Sequence, residues 1–515
     1  MVAARLLQLG ASKLCDIGYG DDGTPNGGVF TDLDTWLDGP LLDVWQERNL
    51  IRPDPVVESE VPVLYRVHAH SGDWATDDED PFLDRVAPLT AYHFGYGVRE
   101  EGAPTRLTGV VSINQRLTAQ DWEQDTRHVR IDISSGISWD PLPYRAGDVA
   151  AIMPVNSSSE VDRFLQVLPP TIDTDCTIRL ECIQPSSERC TFWPERTTLR
   201  ALLTNCMDIH GLPEREDLRS LSLCCSLEHP HGSDQRDKLL ALSESKGAAL
   251  YNDYILREKR SWAEVLYDFD SLRAPGSKLT METLLTLLGP MRPREFSIAS
   301  SPTALRAKGS GVSIELCVAV VEGTTPLGRK YHGLCSHYLS RLAVGDSVRL
   351  WLRPGTFEGL PRNGPVIYVG AGTGIAPMRA LIQERMVLSS GVQTEDPLKR
   401  SDILLFGCRQ QRSDFYYENE WINLCDRKRL GLMTAFSRDQ WHKIYVQQVW
   451  KQNEMALVNQ LLQGALYIAG NPKMAKGIKD EVIESLAKVV GNPQVAEALL
   501  DQMQKQGRFR VEAWS

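Results

Sequence analysis

The sequence of 515 residues lacks the features that mark several classes of protein. It has no run of basic residues, and 67 acidic against 56 basic side chains give a formal net charge of −11. That balance argues against a nucleic-acid backbone as the main partner and favours a basic protein surface. No apolar run reaches the roughly 20 residues of a membrane-spanning helix, and the first residues lack the layout of a signal peptide. We therefore expect a cytoplasmic protein that binds neither nucleic acid nor membrane.

Cysteine pairs at metal-ligand spacing are also missing. The eleven cysteines are scattered without a CxxC pair or a Cys/His pattern, and Cys224 and Cys225 are adjacent. This usage is typical of a reducing compartment rather than of a disulfide-stapled fold, and it indicates no metal site. Internal repeats and low-complexity segments are absent as well, so we expect roughly two to four ordinary domains.

The first 105 residues are expected to contain the end of one domain and a linker. Residues 1–48 combine an amphipathic helix, a short strand ending at Asp21 and Asp22, and a helix capped by Thr31 or Asp32. This segment is too short to bury its own core, which predicts the C-terminal remnant of a larger α/β domain. Residues 49–105, rich in Pro, Asp, Glu and Gly, favour a linker interrupted by a short strand at VPVLYRVHA.

Two further domains are expected to follow. Between 106 and 354, β-type segments such as HVRIDIS and SVRLWLRP predict an antiparallel barrel. Helical periodicity between about 160 and 290 predicts an inserted helical subdomain that splits the barrel. From 360 to 515, strands and helices alternate, which predicts a doubly wound parallel sheet. The expected fold class is therefore α/β plus β-barrel.

The stretch PVIYVGAGTGIAPMRALIQER, at 365–385, is the strongest local motif. Apolar residues run into Gly370, Gly372 and Gly374, and a helical pattern follows. Glycines permit close backbone approach, the N–H groups of a helix start attract a pyrophosphate, and Thr373 adds a hydroxyl. We interpret the stretch as a nucleotide-binding turn, although a tight strand–helix connection has the same pattern.

Two shorter motifs are candidates for holding a flat, phosphate-bearing cofactor. In RPREFSIASS, Arg294 can pair with a phosphate, Phe296 can pack on a ring system, and Ser297 can hydrogen-bond to a ring nitrogen. In GLCSHYL, Gly333 precedes a helix whose first turn carries Ser336, which offers a second place for a phosphate. Taken alone, the first motif is equally compatible with a strand that bears a surface arginine.

A fourth motif, SRDQWHKIYVQ, gathers groups suited to a dianionic phosphate. Ser437, Arg438 and Lys443 offer a hydroxyl and two positive charges. Gln447 adds a hydrogen bond, and the ring of Tyr445 offers a face for an adenine. Such a set selects NADPH over NADH, although a solvated polar helix start has a similar composition.

In this order, and with the terminal aromatic residue, the four motifs resemble the FAD- and NADPH-binding half of diflavin reductases in the ferredoxin–NADP reductase superfamily. RPREFSIASS and GLCS match the two FAD motifs, GAGTGIAP the NADP pyrophosphate loop, and SR…KIYVQ the 2′-phosphate site. LGASKL and GYGDDG are similar to the last helix–strand–helix of the FMN-binding flavodoxin domain. RPR before FSIASS, GLCS, and AGN with EAW are most similar to the cytosolic type that supplies electrons to iron–sulfur assembly.

The resemblance implies a function, cofactors and partners. Electrons pass from NADPH to FAD and onward to a redox acceptor protein, expected to be of the anamorsin type, with hydride delivered to the flavin between the two domains. FMN is expected only in a longer form, because its phosphate loop and ring-shielding loops would lie before Met1. Two alternatives stay open. One is a sulfite-reductase or haemoprotein reductase flavoprotein, and the other is a non-catalytic truncated binding module.

The resemblance also implies which residues act. The implied FAD contacts are Lys259, Arg294, Glu295, Phe296, Ser297, Gly333, Leu334, Cys335 and Ser336. The implied NADPH contacts are Thr373, Ser437, Arg438, Lys443, Ile444, Tyr445, Val446 and Gln447. Ser297 and Glu512 are expected to be polar groups near the hydride transfer. Trp514 is expected to cover the flavin face that the nicotinamide needs, although an indole at a chain end is otherwise more often a surface anchor.

Three positions depart from the haemoprotein reductases. Those proteins have a Cys at the position of Ala469, an Asp at that of Glu512, and a Tyr against the FAD adenine at that of Gly323. A thiol-assisted hydride step of their kind is therefore not expected here.

Overall fold

The computed structural model describes residues 13–16, 18, 33, 36–48, 60–61, 63–70, 107–133, 142–174, 176–184, 193–357, 360–361, 364–389 and 402–514. The chain divides into two compact units. The first unit comprises Met1–Phe82, Asn156–Met291 and Gly323–Tyr331, and the second comprises Leu83–Val155, Arg292–Glu322 and His332–Ser515.

The strands of the described residues are numbered here in chain order. They are β1 Tyr65–His70, β2 Leu107–Arg116, β3 Thr126–Asp132, β4 Val149–Met153, β5 Thr177–Cys182, β6 Arg196–Thr198, β7 Arg294–Ser297, β8 Ser313–Ala319, β9 Glu322–Thr324, β10 Lys330–His332, β11 Ser347–Arg353, β12 Val366–Ala371, β13 Asp402–Cys408, β14 Leu430–Phe436, β15 Ala465–Gly470 and β16 Phe509–Ala513. The α-helices of the same residues are Leu42–Glu47, Ser158–Leu165, Leu199–Asn205, Arg215–Ser222, Gly232–Ser243, Ala248–Tyr251, Trp262–Asp268, Met281–Leu287, Pro302–Ala307, Leu334–Arg341, Ile375–Ser389, Gln411–Asp414, Glu418–Asp426, Val446–Gln452, Glu454–Gln463, Pro472–Val490 and Pro493–Lys505.

The described part of the N-terminal segment is helical. A π-helical turn at Leu37–Leu41 continues into the helix Leu42–Glu47, in agreement with the helix expected there. Asp21, Asp22 and the expected cap at Thr31 or Asp32 lie outside the described residues. The flavodoxin remnant over 1–48 therefore stays a prediction.

The first unit contains a small antiparallel sheet in which β1 pairs with β5 and β5 with β6. β1 confirms the strand predicted at VPVLYRVHA, and it pairs with β5 over residues 65–70. β5 has the two-residue period of a half-buried strand, with Ile178 and Leu180 buried and Arg179 between them exposed. The expected helical insert therefore also contributes two strands.

Helices of the first unit begin where capping residues predict. Ser157 accepts a hydrogen bond from the amide of Glu160, and Thr198 accepts one from that of Ala201. Each satisfies an amide that the first helical turn leaves without an intrahelical partner. These starts confirm the helical character expected for much of this region.

Cysteine usage differs from the expectation at one position. Cys182 is disulfide-bonded, whereas the free cysteines of the described residues are Cys15, Cys176, Cys206, Cys224, Cys225, Cys317, Cys335, Cys408 and Cys425. The scattered spacing could not show this, because it does not say which cysteines become neighbours in the fold.

The second unit contains a six-stranded antiparallel sheet in the order β7-β4-β11-β2-β3-β8. On β3, Val129 and Ile131 are fully buried while the intervening Arg130 is half-buried. The two edge strands meet through a bridge between Ile298 and Leu316. The antiparallel strands expected between 106 and 354 are thus present.

The second unit also contains a five-stranded parallel sheet in the order β14-β13-β12-β15-β16. Its central strand β12 is apolar on both faces, since Val366 and Tyr368 join one buried cluster while Ile367 and Val369 join the other. The terminal FRVEAWS, which the sequence pattern did not assign to a strand, adds the edge strand β16. Five residues of mixed character carry little periodic signal, and pairing with β15 decides their conformation.

A buried ionic network connects the two sheets of the second unit. Arg379, on the helix Ile375–Ser389, places Nη1 2.6 Å from Glu315 Oε2 and Nε 2.7 Å from Glu420 Oε2. Nη1 also donates to the carbonyl of Ala299 at 2.8 Å, and the guanidinium lies 4.4 Å from the ring centroid of Tyr417. Glu315 belongs to β8, so this guanidinium links the antiparallel sheet with helices of the parallel α/β domain.

Replacing Arg379 by Met should destabilise the protein by about 3–5 kcal/mol, because two carboxylates lose their buried cation. Thermal unfolding followed by circular dichroism measures the change. Lys488→Met is a matched control, since Lys488 forms solvent-exposed pairs with Glu454 and Glu484 whose loss should leave the unfolding midpoint nearly unchanged. Equal unfolding midpoints for the two variants would show that the buried network contributes no more than a surface pair.

Candidate functional site

The predicted nucleotide-binding turn lies at the carboxyl end of β12. Gly372 has a φ of +55°, which favours glycine, and open space surrounds the position that a Cβ would take there. A Cβ on Gly374 would lie 2.1 Å from the carbonyl oxygen of Ala469, so the turn can pack against β15 only with glycine. Thr373 is half-buried between them, and the 15-residue helix Ile375–Ser389 follows directly. This strand–turn–helix has the open backbone and helix start that suit a pyrophosphate.

The fourth motif begins where β14 ends, beside the end of β13. Ser437 donates its amide hydrogen to the carbonyl of Cys408 at 3.0 Å, and Arg438 donates to that of Arg409 at 2.7 Å. Arg438 is exposed and Ser437 is half-buried. Arg409 and Arg438 therefore lie side by side, just after the ends of β13 and β14. The sequence motif included Arg438 but not Arg409.

The rest of this motif divides between solvent and core. Lys443 and Tyr445 are exposed, whereas Ile444 packs against the apolar cluster and Val446 is buried in it. Oε1 of Gln447 is buried and has no hydrogen-bond partner among the described residues. Val446 can therefore act only through its backbone, while the amide of Gln447 is an available polar group.

The first predicted FAD motif forms β7, an edge strand of the antiparallel sheet. Arg294 and Ser297 are half-buried, and Phe296 packs against the core of that sheet. Oε1 of Glu295 lies 2.8 Å from Nη1 of the buried Arg353, at the end of β11. The carboxylate of Glu295 is therefore held by an ion pair within the antiparallel sheet. The sequence motif did not indicate this ion pair.

The second predicted FAD motif starts the helix Leu334–Arg341, with Gly333 as its N-cap residue. A Cβ on Gly333 would lie 2.8 Å from the Cβ of Val321. Ser336 accepts from the amide of Val321 at 3.0 Å and donates to the carbonyl of Gly333 at 3.2 Å, so its hydroxyl is engaged locally. Burial raises the pKa of the Cys335 thiol to about 12. Backbone N–H groups are therefore the phosphate donors that this helix start offers.

Lys259 lies in the first unit, and it has a positive φ of 47°. Its Nζ lies 4.7 Å from the ring centroid of Tyr331. The same ring explains the departure at Gly323, because a Cβ on Gly323 would lie 2.5 Å from Tyr331 Cζ. The ring of Tyr331 therefore occupies the space that a side chain at position 323 would need.

Ser297 and Glu512 meet although they come from different sheets. Ser297, at the end of β7, donates its hydroxyl hydrogen to Glu512 Oε1 at 2.6 Å. Glu512 lies on β16 beside Ala469 of β15. Burial raises the pKa of Glu512, an effect that hydrogen bonds from Ser297 and Thr356 oppose in part. The structure thus brings together two of the three residues that the sequence placed near the hydride transfer.

Trp514 follows β16 directly. Its amide donates to the carbonyl of Gly470 at 3.1 Å, and its half-buried ring packs against the apolar cluster on one face of the parallel sheet. The indole is therefore anchored at the carboxyl edge of the sheet, two residues beyond Glu512.

Comparison with known proteins identifies the family of this chain. Residues 105–338 match the family described as "FAD binding domain", and residues 368–480 match the "Oxidoreductase NAD-binding domain". Proteins named "NADPH-dependent diflavin oxidoreductase 1" are similar over 99% of this chain and 81% of their own length. The identity is 33% for Mus musculus, 35% for Bos taurus and 30% for Arabidopsis thaliana. The chain belongs to the NADPH-dependent diflavin oxidoreductases.

Membership establishes the general activity, which is electron transfer from NADPH to flavin. When bound, FAD supplies the acceptor for the electrons of NADPH. The start of the helix after Gly333 has no side-chain cap, and the turn at Gly372 has open space around it. Both features suit the phosphates of a dinucleotide. Among the described residues, no helix is both long and apolar enough to span a membrane.

Arg409, Glu123 and Tyr331 are polar or aromatic residues near the predicted sites of this diflavin oxidoreductase that sequence reasoning did not select. Arg409 follows β13 in the segment GCRQ, where a charged residue at the carboxyl end of a parallel strand is a usable signal. Glu123 and Tyr331 come from a loop and a short hairpin whose neighbours only the fold decides.

The raised pKa of Glu512 predicts a specific dependence of stability on pH. The folded protein holds the Glu512 proton more tightly than the unfolded chain, so the resulting stability is present below the ordinary glutamate pKa. It is lost as pH rises through the raised pKa. We expect the unfolding midpoint of the wild type to fall relative to that of Glu512→Gln as the pH rises above the ordinary glutamate pKa.

Glu497→Gln, at an exposed position, is the matched control for this experiment and should parallel the wild type. Differential scanning calorimetry at several pH values gives the midpoints. A constant difference between wild type and Glu512→Gln over the whole range would contradict the raised pKa.

Proposed function

We propose that this oxidoreductase binds FAD at Arg294–Ser297 and at the helix start Gly333–Ser336, and NADPH along the carboxyl ends of β12, β13 and β14. The observation that carries the proposal is the 2.6 Å hydrogen bond between Ser297 and Glu512. It brings the end of the FAD motif to the carboxyl edge of the sheet that carries the nucleotide turn. Hydride transfer requires the reacting rings to meet, and this contact is where the two predicted sites adjoin.

The proposal assigns separate tasks to the protein's own residues. Arg294 pairs with the FAD pyrophosphate, the amides after Gly333 donate hydrogen bonds to it, and Phe296 packs on the cofactor. Thr373 and the helix start beyond it hold the NADPH pyrophosphate. Ser297 and Glu512 keep a polar, partly desolvated contact beside the reacting rings, where Ala469 leaves no thiol. Lys259 is kept as a proposed FAD contact on the resemblance alone.

The finer architecture is part of the same proposal. We interpret the six-stranded sheet as the FAD barrel, supported by the bridge between its edge strands, and residues 160–290 as its inserted subdomain. Residues 1–48 are interpreted as the flavodoxin remnant, 49–105 as a connection that includes β1, and 360–515 as the NADP-binding domain. FMN would pass electrons onward in a longer form that contains the whole flavodoxin domain.

The acceptor is proposed to be an anamorsin-type iron–sulfur protein in the cytoplasm. The similarity of RPREFSIASS, GLCS and AGN with EAW to the iron–sulfur assembly type supports this choice. The net charge of −11 favours a basic docking surface on the acceptor.

Nucleotide preference tests the proposed NADPH site. One charge-assisted hydrogen bond to phosphate is worth about 1.5–3 kcal/mol, so Lys443→Ala should lower kcat/KM for NADPH by about 10- to 100-fold. The value for NADH, which lacks the 2′-phosphate, should stay unchanged. Steady-state ferricyanide reduction with both nucleotides measures this, with the exposed Lys505→Ala as control. Equal efficiency of NADPH and NADH in the wild type would exclude the proposed site.

Removing the terminal indole should relax nucleotide selectivity. If Trp514 covers the flavin face, its stacking of roughly 0.5–1.5 kcal/mol opposes nicotinamide binding, and NADH gains most from its loss because it lacks the 2′-phosphate anchor. Trp514→Ala should therefore lower the NADPH/NADH preference by about 2- to 10-fold. Stopped-flow flavin reduction measures it, with the exposed Trp45→Ala as control. An unchanged preference would make Trp514 a surface anchor only.

A further inference from the structure

Glu123, from the loop between β2 and β3, contacts the end of the nucleotide-binding sheet. Its Oε1 lies 2.5 Å from Nη1 of Arg409 and 2.8 Å from Nη1 of Arg438. The guanidinium carbons of Arg409 and Arg438 lie 6.0 and 5.9 Å from the ring centroid of Trp122. The same oxygen of Glu123 and the same ring of Trp122 therefore lie beside both arginines.

The loop that carries Glu123 is held in place by bonds other than this ion contact. Ala119 donates its amide hydrogen to the carbonyl of Ser413 at 2.9 Å, and Arg116 Nη2 donates to the carbonyl of Trp122 at 2.7 Å. Gln124 Nε2 donates to the carbonyl of Val320 at 2.7 Å. Glu123 is thus presented to the arginines by a backbone with its own anchors.

The two arginines are also fixed by their backbones. Arg438 donates its amide hydrogen to the carbonyl of Arg409 at 2.7 Å. The buried carboxylate of Asp414 accepts from the amides of Arg409 and Gln410 at 3.1 and 2.7 Å. The guanidiniums therefore converge because adjacent strand ends place them side by side.

Charge balance indicates what this arrangement can bind. Two guanidiniums carry two positive charges, and Glu123 supplies one negative charge. A phosphate monoester carries about 1.5 to 2 negative charges near neutral pH and accepts several hydrogen bonds, so it matches the two arginines better than one carboxylate does. The contact is also exposed, with side-chain exposures of 36% for Arg409, 48% for Arg438 and 58% for Glu123, so a ligand can reach it. Exposed ion pairs are weak, and an incoming dianion can displace this carboxylate.

We propose that Arg409 and Arg438 together bind the 2′-phosphate of NADPH, and that Glu123 occupies both guanidiniums until the nucleotide displaces it. Arg409 is then a second specificity-determining residue, and Glu123 is an intramolecular competitor for the phosphate. The inference rests on the proposed function, which places NADPH along the carboxyl ends of β13 and β14, where Arg409 and Arg438 lie.

The test measures binding of 2′,5′-ADP to the purified full chain with its FAD by isothermal titration calorimetry. 5′-AMP is the ligand control because it lacks the 2′-phosphate. Arg409→Gln should weaken 2′,5′-ADP by about tenfold or more, since it removes one charge-assisted contact. Glu123→Gln should tighten it several-fold, because no carboxylate then competes. Neither variant should alter 5′-AMP binding, and the exposed neighbour Arg412→Gln should behave as wild type.

Arg438→Gln separates this inference from the proposed function. If Arg438→Gln weakens 2′,5′-ADP while Arg409→Gln does not, the proposed phosphate site stands and the arginine pair is refuted. If neither arginine variant changes the affinity, both proposals fall. Unchanged or weaker binding by Glu123→Gln overturns the role of Glu123 as competitor.

Discussion

The second unit depends on one buried cation between its two sheets. Arg379 satisfies Glu315 on β8, Glu420 on a helix of the parallel domain and the carbonyl of Ala299. Removing such charges from water is costly, and the arrangement is stable only because each partner is placed to accept a hydrogen bond. An arginine suits this position since its planar fork serves several acceptors at once and stacks on Tyr417. The same contact orients the antiparallel sheet against the parallel domain.

That orientation places two smaller contacts at the carboxyl edge of the parallel sheet. Ser297 reaches Glu512 near the ends of β15 and β16, and Glu123 reaches Arg409 and Arg438 at the ends of β13 and β14. A nucleotide lying along this edge would meet residues of both sheets, first at its phosphates and then at its reacting ring. Both the choice of nucleotide and the hydride transfer would therefore depend on how the two sheets pack together, and not on the parallel sheet alone.

The departures from haemoprotein reductases are consistent with a site that relies on position and burial. Ala469 is fully buried beside Glu512, so a methyl group rather than a thiol lies next to this carboxyl group. Burial keeps that carboxyl group closer to its neutral form than an exposed glutamate would be, and the hydroxyl of Ser297 orients it. Gly323 likewise has its aromatic counterpart in Tyr331, on the opposite strand of a short hairpin.

The sequence by itself determined the order of domains and the local motifs, because these depend on periodicity and on neighbours in the chain. The strand–turn–helix at Gly372, the helix start at Gly333 and the strand at Arg294 were all readable from a few consecutive residues. The contacts that unite them were not. Ser297 and Glu512 are 215 residues apart, and Arg438 and Glu123 are 315 apart, so no local pattern connects them. Tertiary packing alone decided the pairing of the edge strand β16, the ion pairs of Arg379 with Glu315 and Glu420, and the contact of Glu123 with the two arginines.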